Sequence, residues 1–423
     1  MTTETKFKQT EIGLIPEDWE VKDLEEEAEI NMGQSPKSEY YNQEGEGIRF
    51  LQGIRTFGDK YPEFDTYTTK ITKKGAAGSV LFSVRAPVGE VNITKNDLCI
   101  GRGISAINMK NGNNEFLYYL LKHFKTRILN FESGSVFGSI NGKQIKELKF
   151  AFPKEIEQSS IAKILSDLDL RIELLQKQNE TLEKIGQAIF KHWFVDFEFP
   201  NEEGKPYKSS GGKMVESELG EIPEGWSVGK LGEKIKTVLG GTPSKSKPEY
   251  WEGNIPWINS GAINDFPVMN FSETISELGL KNSAAKLMPK GTVVLPFVIS
   301  VGKEVRISVL GIESSGNQSV LGILENEEYS SEFIYNWIQL RKGHLYLSAT
   351  GGAQQHINKG NVDSMELLIP EKKILTNFNM ATKNVFNKIY LNSEAILSLQ
   401  KTRDLLLPKL MTGKIRVPLE VEG

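Results

Sequence analysis

Cysteine is almost missing from this chain of 423 residues: Cys99 stands alone. One thiol excludes an internal disulfide framework and a cysteine-ligated zinc site, and it points to a reducing, cytoplasmic setting. Cys99 lies in the apolar run DLCIG, so a buried structural role is expected. Histidine is scarce as well. His123, His192, His344 and His356 show no HExxH-type spacing, so no metal site is indicated. His123 and His192 fall in helix-like stretches and read as packing or surface residues. No run of 18 apolar residues occurs, so no membrane partner is expected, and the polar start MTTETKFKQTEIG lacks the apolar core of a signal peptide. Excess positive charge is lacking too. The balance of 51 Lys and Arg against 55 Asp and Glu gives a net charge of −4. That excludes a protein coating nucleic acid through bulk charge, and any nucleic-acid surface must be local. GGTPSKSK at 240–247 looks superficially like a phosphate loop, but its spacing is wrong and Pro243 interrupts it. The acidic residues form no recognisable nuclease arrangement. No catalytic residue can be named.

What is present is a large internal repeat, the first thing to seek in a chain of this length. EIGLIPEDWEVKDL at 11–24 returns as ELGEIPEGWSVGKL at 218–231, so that Pro16, Trp19 and Leu24 fall on Pro223, Trp226 and Leu231. GQSP at 33–36 falls on GGTP at 240–243, and IRFLQ at 48–52 on IPWIN at 255–259. KKGAAGSVLFSV at 73–84 resembles MPKGTVVLPFVISV at 288–301. FLYYLL at 116–121 matches FIYNWI at 333–338, GSVFGSIN at 134–141 matches GGAQQHIN at 351–358, and Pro153 matches Pro370. Trp19, Trp226 and Trp257 recur with the repeat and read as core anchors.

Before each of those last prolines, short β-branched and aromatic runs are broken by Gly and Pro, as in a strand-rich α/β domain. After each comes a heptad pattern. Ile161, Leu168, Leu175, Leu182 and Ile189 recur every seven residues, with Leu165, Ile172, Asn179 and Gly186 at the second seam position. The second copy has Phe378, Val385, Asn392, Leu399 and Leu406, with Thr382, Ile389, Ile396 and Arg403 between. A narrow stripe of this kind is stable when buried against another helix. Asn179 and Asn392 either fix the register or mark where the seam opens. The fold expected is α+β: two strand-rich α/β domains separated by two long antiparallel coiled-coil helices, related by a pseudo-twofold axis. A helix of ~37 residues is ~55 Å long, so the arrangement reads as a molecular ruler with two heads.

EQSSIAKILSDLDLRI at 157–172, AIFKHWFVDFEFP at 188–200 and LLLPKLMTGKIRV at 405–417 resemble the conserved helical and post-helical regions of specificity subunits of Type I restriction–modification systems. IPEDW and IPEGW resemble the starts of the two target recognition domains of that family. The resemblance covers essentially the whole chain. It implies a first target recognition domain at 1–154, a conserved helix at 155–197, a linker at 198–217, a second recognition domain at 218–370, and a second helix with the C-terminal conserved region at 371–423. It further implies a non-catalytic subunit that reads double-stranded DNA with a split recognition sequence. Two methyltransferase subunits, and motor-nuclease restriction subunits besides, are the implied protein partners. S-adenosylmethionine would belong to the methyltransferase, with no cofactor in this chain. No Asn-Pro-Pro-Tyr-like methyltransferase signature occurs, in keeping with that division. The alternative reading is a coiled-coil adaptor that assembles proteins without reading DNA.

Residues 31–154 carry 18 Lys and Arg against 11 Asp and Glu, enough for a local positive face; the acidic run from Glu17 to Glu29 masks it in the total. Residues 233–370 carry 12 against 14, which keeps the adaptor reading open. Candidate DNA contacts are Ser35 and Lys37 in the first Gly/Pro loop and Thr242, Lys245 and Lys247 in its repeat. Arg85 sits between a strand and a Pro-Gly turn, with Lys303 and Arg306 read as its counterparts. Arg102 stands near a Gly pair, with Asn317 and Gln318 at the equivalent place. Gln354, Gln355 and His356 form a polar cluster. Arg reads guanine bidentately, and Asn or Gln reads adenine.

Overall fold

The apolar run VLFS at Val80–Ser83 has all four residues buried. Such a run needs cover on both faces. It receives it in a four-stranded antiparallel sheet ordered Val91–Ile93, Val80–Ser83, Ile104–Met109, Ala28–Met32. The structure is a computed structural model that describes residues 5–130, 138–300, 304–351 and 354–417. It divides into two units, Met1–Ile172 with Ser398–Gly423, and Glu173–Leu397.

In the first unit a second sheet is ordered Tyr41–Asn42, Tyr67–Thr68, Ile48–Leu51, Leu98–Ile100, Lys74–Gly75. Its central pair is parallel, with Cys99 opposite Phe50 and Ile100 opposite Leu51. Cys99 is fully buried there. The helix Asn114–His123 buries Phe116 through Leu121 against the first sheet. Phe7–Thr10 forms a hairpin with Gly13–Pro16, and Glu20–Asp23 pairs with Lys149–Phe152. Trp19 is buried in this core, and Leu410, Met411 and Val417 from the far end of the chain join it.

The second unit repeats the plan. Met214–Ser217 forms a hairpin with Gly220–Pro223, and Ser227–Lys230 pairs with Glu366–Ile369. One sheet is ordered Thr237–Leu239, Val320–Ile323, Val293–Pro296, Ser308–Val309. The other is ordered Glu273–Ile275, Trp251–Ile258, Ser314–Gly316, Leu287–Met288, again with one parallel pair, Ile258 opposite Gly316. Its core is rich in rings: Phe190, Phe194, Phe333 and Phe378 meet edge-on at centroid distances of 5.0–6.3 Å.

The heptad stretches form helices Glu155–Phe194 and Lys372–Met411, 40 residues each. At 1.5 Å per residue each is ~60 Å long. Of the seam positions, Ile161, Leu165, Ile172, Leu175, Phe378 and Ile389 are buried, and Leu168, Leu182, Ile189, Val385, Ile396, Leu399 and Leu406 are half-buried. In the second unit Asn179 faces Asn392 and Ser393 while Gly186 faces Phe386, so these segments run antiparallel. Gly186 leaves room for that ring: a methyl group there would stand 3.1 Å from Phe386 Cε2. In the first unit Arg403 Nη1 donates to Asp169 Oδ1 at 2.8 Å, the same antiparallel relation.

The segment expected as a linker is packed instead. Phe199 is buried and stacks on Trp226 at 4.9 Å and on Tyr207 at 4.7 Å, and Met214–Ser217 is a hairpin strand. The stretch EEGKPYKSSGGK within 198–217 is rich in Gly, Ser and Lys, but the aromatic residues Phe199 and Tyr207 find a ring surface to bury against, and that burial outweighs the local composition.

Candidate nucleic-acid interface

Both Gly/Pro loops dock on the loop that follows the parallel strand of their own unit. Gly33 N donates to Ile104 O and Gln34 N to Ile100 O, both at 2.9 Å. In the repeat Gly240 N donates to Val320 O at 2.9 Å and Gly241 N to Gly316 O at 2.8 Å. The approach is too close for a side chain. A methyl group at Gly33 would overlap Gly101 O, and one at Gly240 would overlap Asn317 O. Glycine is therefore demanded by proximity, a use that its missing Cβ permits.

These bonds set a strict correspondence. Gly101 N donates to Leu51 O as Asn317 N donates to Ile258 O. Ile104 N then returns to Gly101 O as Val320 N returns to Asn317 O. Arg102 and Gln318 thus occupy the same place, as do Ser35 and Thr242. Ser35 Oγ accepts from the Arg102 backbone N–H at 3.1 Å, and Thr242 Oγ1 donates to Gln318 Oε1 at 2.5 Å. Each loop hydroxyl steadies the residue beside it.

In the first unit Arg85 and Arg102 are exposed and line one open depression of about 170 Å³ with Gln52, Gly53, Ile54, Ala86 and Gly103. Neither guanidinium has a hydrogen-bond or ion-pair partner among the described residues. Other cations nearby are neutralised: Arg55 by Asp65, Lys74 by Asp97 and Lys125 by Glu90. Arg49 lies over the Phe64 ring. A second depression, about 210 Å³, shares Gln52 and Gly53 and adds Tyr41, Phe50, Arg55 and Thr66. Lys37 is exposed, with Glu39 3.9 Å away. The acidic run at 17–29 is partly neutralised within the unit, Asp18 by Arg416, Glu25 by Lys146 and Glu27 by Lys22.

In the second unit Lys245 pairs with Glu273 and lies 3.4 Å from the centre of the Trp251 ring, so its charge is spoken for. Lys247 Nζ donates to Tyr250 Oη at 3.0 Å, which holds its ammonium above the usual lysine value. Trp257 Nε1 donates to Gly241 O at 3.2 Å and anchors the loop from inside. Asn317 Oδ1 accepts from Ser319 N at 2.9 Å, a turn-forming bond. Arg306 is exposed. It does not sit at the Arg85 position: Val84 N donates to Gly103 O as Phe297 N donates to Ser319 O, which makes Val298 the counterpart of Arg85. Arg85 bridges Ser139, and Val298 pairs with His356 in the same way. Lys303 lies outside the described residues, as does the side chain of Gln354, whose backbone pairs with Ser300. Gln355 Oε1 is buried without a hydrogen-bond partner among the described residues, and the His356 ring is 5.5 Å from that of Phe297.

Three groups at these sites escaped the sequence reading: Gln52, the Lys245–Trp251 stack, and the Thr242–Gln318 bond. Gln52 carried a signal, since IRFLQ and IPWIN both end on an amide; the other two depend on pairings across the chain. Among the described residues no group of three His, Cys, Asp or Glu is placed to hold a metal ion, and no helix is long and apolar enough to cross a membrane.

The model of the family described as Type I restriction modification DNA specificity domain matches residues 16–184 and again 223–389. The MjaIX specificity subunit of the Type I restriction enzyme of Methanocaldococcus jannaschii is 31% identical over 98% of this chain and 97% of its own length. The HindI specificity subunit of Haemophilus influenzae is 28% identical over 71% of this chain and 77% of its own. Among solved structures, the S subunit of the Type I restriction–modification system from M. genitalium superposes with a TM-score of 0.58 at 17% identity, over 96% of this chain and 99% of that one; this likeness speaks for the fold. Two copies of one domain, in the two halves that carry the two docked loops, make this chain a member of the Type I restriction–modification DNA specificity family.

Proposed function

We propose that this chain is the subunit that selects the DNA sequence for a Type I restriction–modification complex, each unit reading one half of a split target in double-stranded DNA. The observation that carries this reading is the loop construction built twice: Ser35 on Arg102 and Thr242 on Gln318. Arg and Gln are side chains that distinguish base edges in the major groove, and here each is exposed on a backbone held by hydrogen bonds. Lys37, Arg85 and Arg306 are exposed donors that suit phosphate or base contact. The pairing of Lys245 with Glu273 makes it a weaker candidate.

The helical pair sets the gap between half-sites. A seam buried over much of two 40-residue helices supports a stiff spacer, and two-part recognition needs a fixed separation. The chemistry lies in partners acting beside this chain in the cytoplasm. Two methyltransferase subunits carry S-adenosylmethionine and methylate an adenine in each half-site, and restriction subunits join for cleavage. Leu170, Leu174 and Leu391 are more than half exposed on the long helices, which supports docking of a protein there.

The test is selection of duplexes from a randomised pool by the purified complex of this chain with its methyltransferase. Enrichment of two short motifs at one fixed spacing is expected. Enrichment of a single contiguous motif, or of none, contradicts the reading.

A further inference from the structure

Arg102 and Gln318 stand at one position of the repeat and differ in what they can read. We propose that this position makes the two half-sites different, with Arg102 selecting a guanine in the first and Gln318 selecting an adenine in the second. The inference rests on the reading of the chain as a DNA specificity subunit and names the bases that reading leaves open.

The loop carrying Arg102 is pinned from both sides. Its own N–H is held by Ser35 Oγ at 3.1 Å, and Gly103 N donates to Gln52 O at 3.0 Å. Gly101 and Gly103 let the strand end at Gln52 approach: a methyl group at Gly101 would stand 2.8 Å from Gln52 Cα, and one at Gly103 would overlap Gln52 O. The backbone is thus fixed while the guanidinium stays exposed, without a partner among the described residues, beside Arg85 in one depression. An unpaired guanidinium presents a planar fork of donors, which matches the O6 and N7 acceptors of guanine. Among the described residues, no carboxylate lines that depression to favour a cytosine amino group.

Gln318 is exposed at the same register with a different attachment. Thr242 Oγ1 donates to its Oε1, which leaves the second lone pair of Oε1 and both hydrogens of Nε2 to a ligand. One acceptor and one donor, side by side and oriented, match N6 and N7 of adenine. Thr242 acts through Gln318 and is a positioning residue. Val298 stands at the Arg85 position, so among the described residues no second guanidinium accompanies Gln318 there as Arg85 accompanies Arg102.

The experiment is methylome sequencing of cells expressing the chain with its methyltransferase, comparing wild type with Arg102→Ala, Arg102→Lys, Gln318→Ala and Thr242→Val. In wild type, one half-site should specify a guanine and the other an adenine at the affected positions. Arg102→Ala should reduce the guanine preference at one position of one half-site by about 10- to 100-fold, leaving the other half-site unchanged. Arg102→Lys, which keeps the charge and loses the fork, should also relax that position. Gln318→Ala should relax one adenine position in the opposite half-site, and Thr242→Val should do so more weakly without abolishing methylation. Unchanged motifs in the variants overturn the proposal, as does a uniform loss of methylation in folded protein with the motif intact, which would make Arg102 a phosphate contact. A wild-type methylome with no motif that depends on this chain overturns the broader reading instead.

Discussion

Asn392 donates its side-chain amide to Asn179 Oδ1 at 2.9 Å inside the helical seam of the second unit. Both are buried, and Asn179 in turn donates to Ser393 Oγ at 3.0 Å. The pair therefore fixes register and does not mark an opening of the seam, since a slip by one turn would bury both amides without partners.

Asn392→Leu alone should destabilise the chain by about 1–3 kcal/mol, because Asn179 is left with an unmet buried acceptor. The double variant Asn179→Leu, Asn392→Leu should recover most of that loss while relaxing the register. Thermal melts of the cycle check the first part. Methylome spacer lengths check the second: a mixture of spacings is expected from the double variant and one spacing from wild type.

The two docking glycines admit no methyl group, since each would meet a backbone carbonyl that cannot rotate away. Gly33→Ala and Gly240→Ala should each cost about 1–3 kcal/mol through displaced backbone. Each should also weaken recognition of its own half-site only. Denaturant melts and half-site substitution assays on the purified complex test the two effects separately.

Arg416 reaches Glu157 at 2.7 and 2.9 Å and Asp18 at 2.9 and 2.7 Å, and Trp19 Nε1 donates to the same Glu157 at 3.1 Å. Glu157 is buried. Arg416→Ala should cost about 3 kcal/mol, the low end for a broken buried pair because Arg416 is about a third exposed. Loss of the thermal transition at the wild-type temperature is the readout.

The same guanidinium hydrogen-bonds Asp18 and holds its carboxyl below the usual value. A depressed folded pKa gives stability that is present above the unfolded value, ~3.9, and is lost as pH falls through the lower folded value. Asp18 is about half exposed, so the effect should be under ~1 kcal/mol. Asp18→Asn should therefore lower stability slightly at pH 7 and flatten the acid limb of the stability curve below about pH 4. Equal slopes for variant and wild type in melts from pH 7 to pH 3 would remove this contact from the account.

Much of the fold was legible because its signals are periodic. The copied EIGLIPEDW and ELGEIPEGW segments declared the repeat, and the heptads after Pro153 and Pro370 declared the long helices. The equivalence of Arg102 with the Asn317–Gln318 pair was also legible, since glycine marks the turn in both copies. Arg85 was harder. An insertion shifts the second copy, and only strand pairing reveals Val298 at its place. The anchoring of Phe199 on Trp226 was hidden by the polar composition around it. The neutralisation of Lys245 depends on Glu273, 28 residues away, which no local pattern announces.

Spacing tests the ruler. Inserting one matched heptad in both long helices adds ~10 Å to each. The permitted spacer should then lengthen by ~3 bp at ~3.4 Å per step. Leu175→Asp, which places a charge at a buried seam position, should instead abolish two-part recognition.

This chain supplies the sequence specificity of its complex. Methylome sequencing of a host expressing the methyltransferase with and without this chain tests it most directly. A split methyladenine motif, two half-sites at one spacing, is expected only when the chain is present. A motif that persists without the chain, or no motif from a complex shown to assemble, would contradict it.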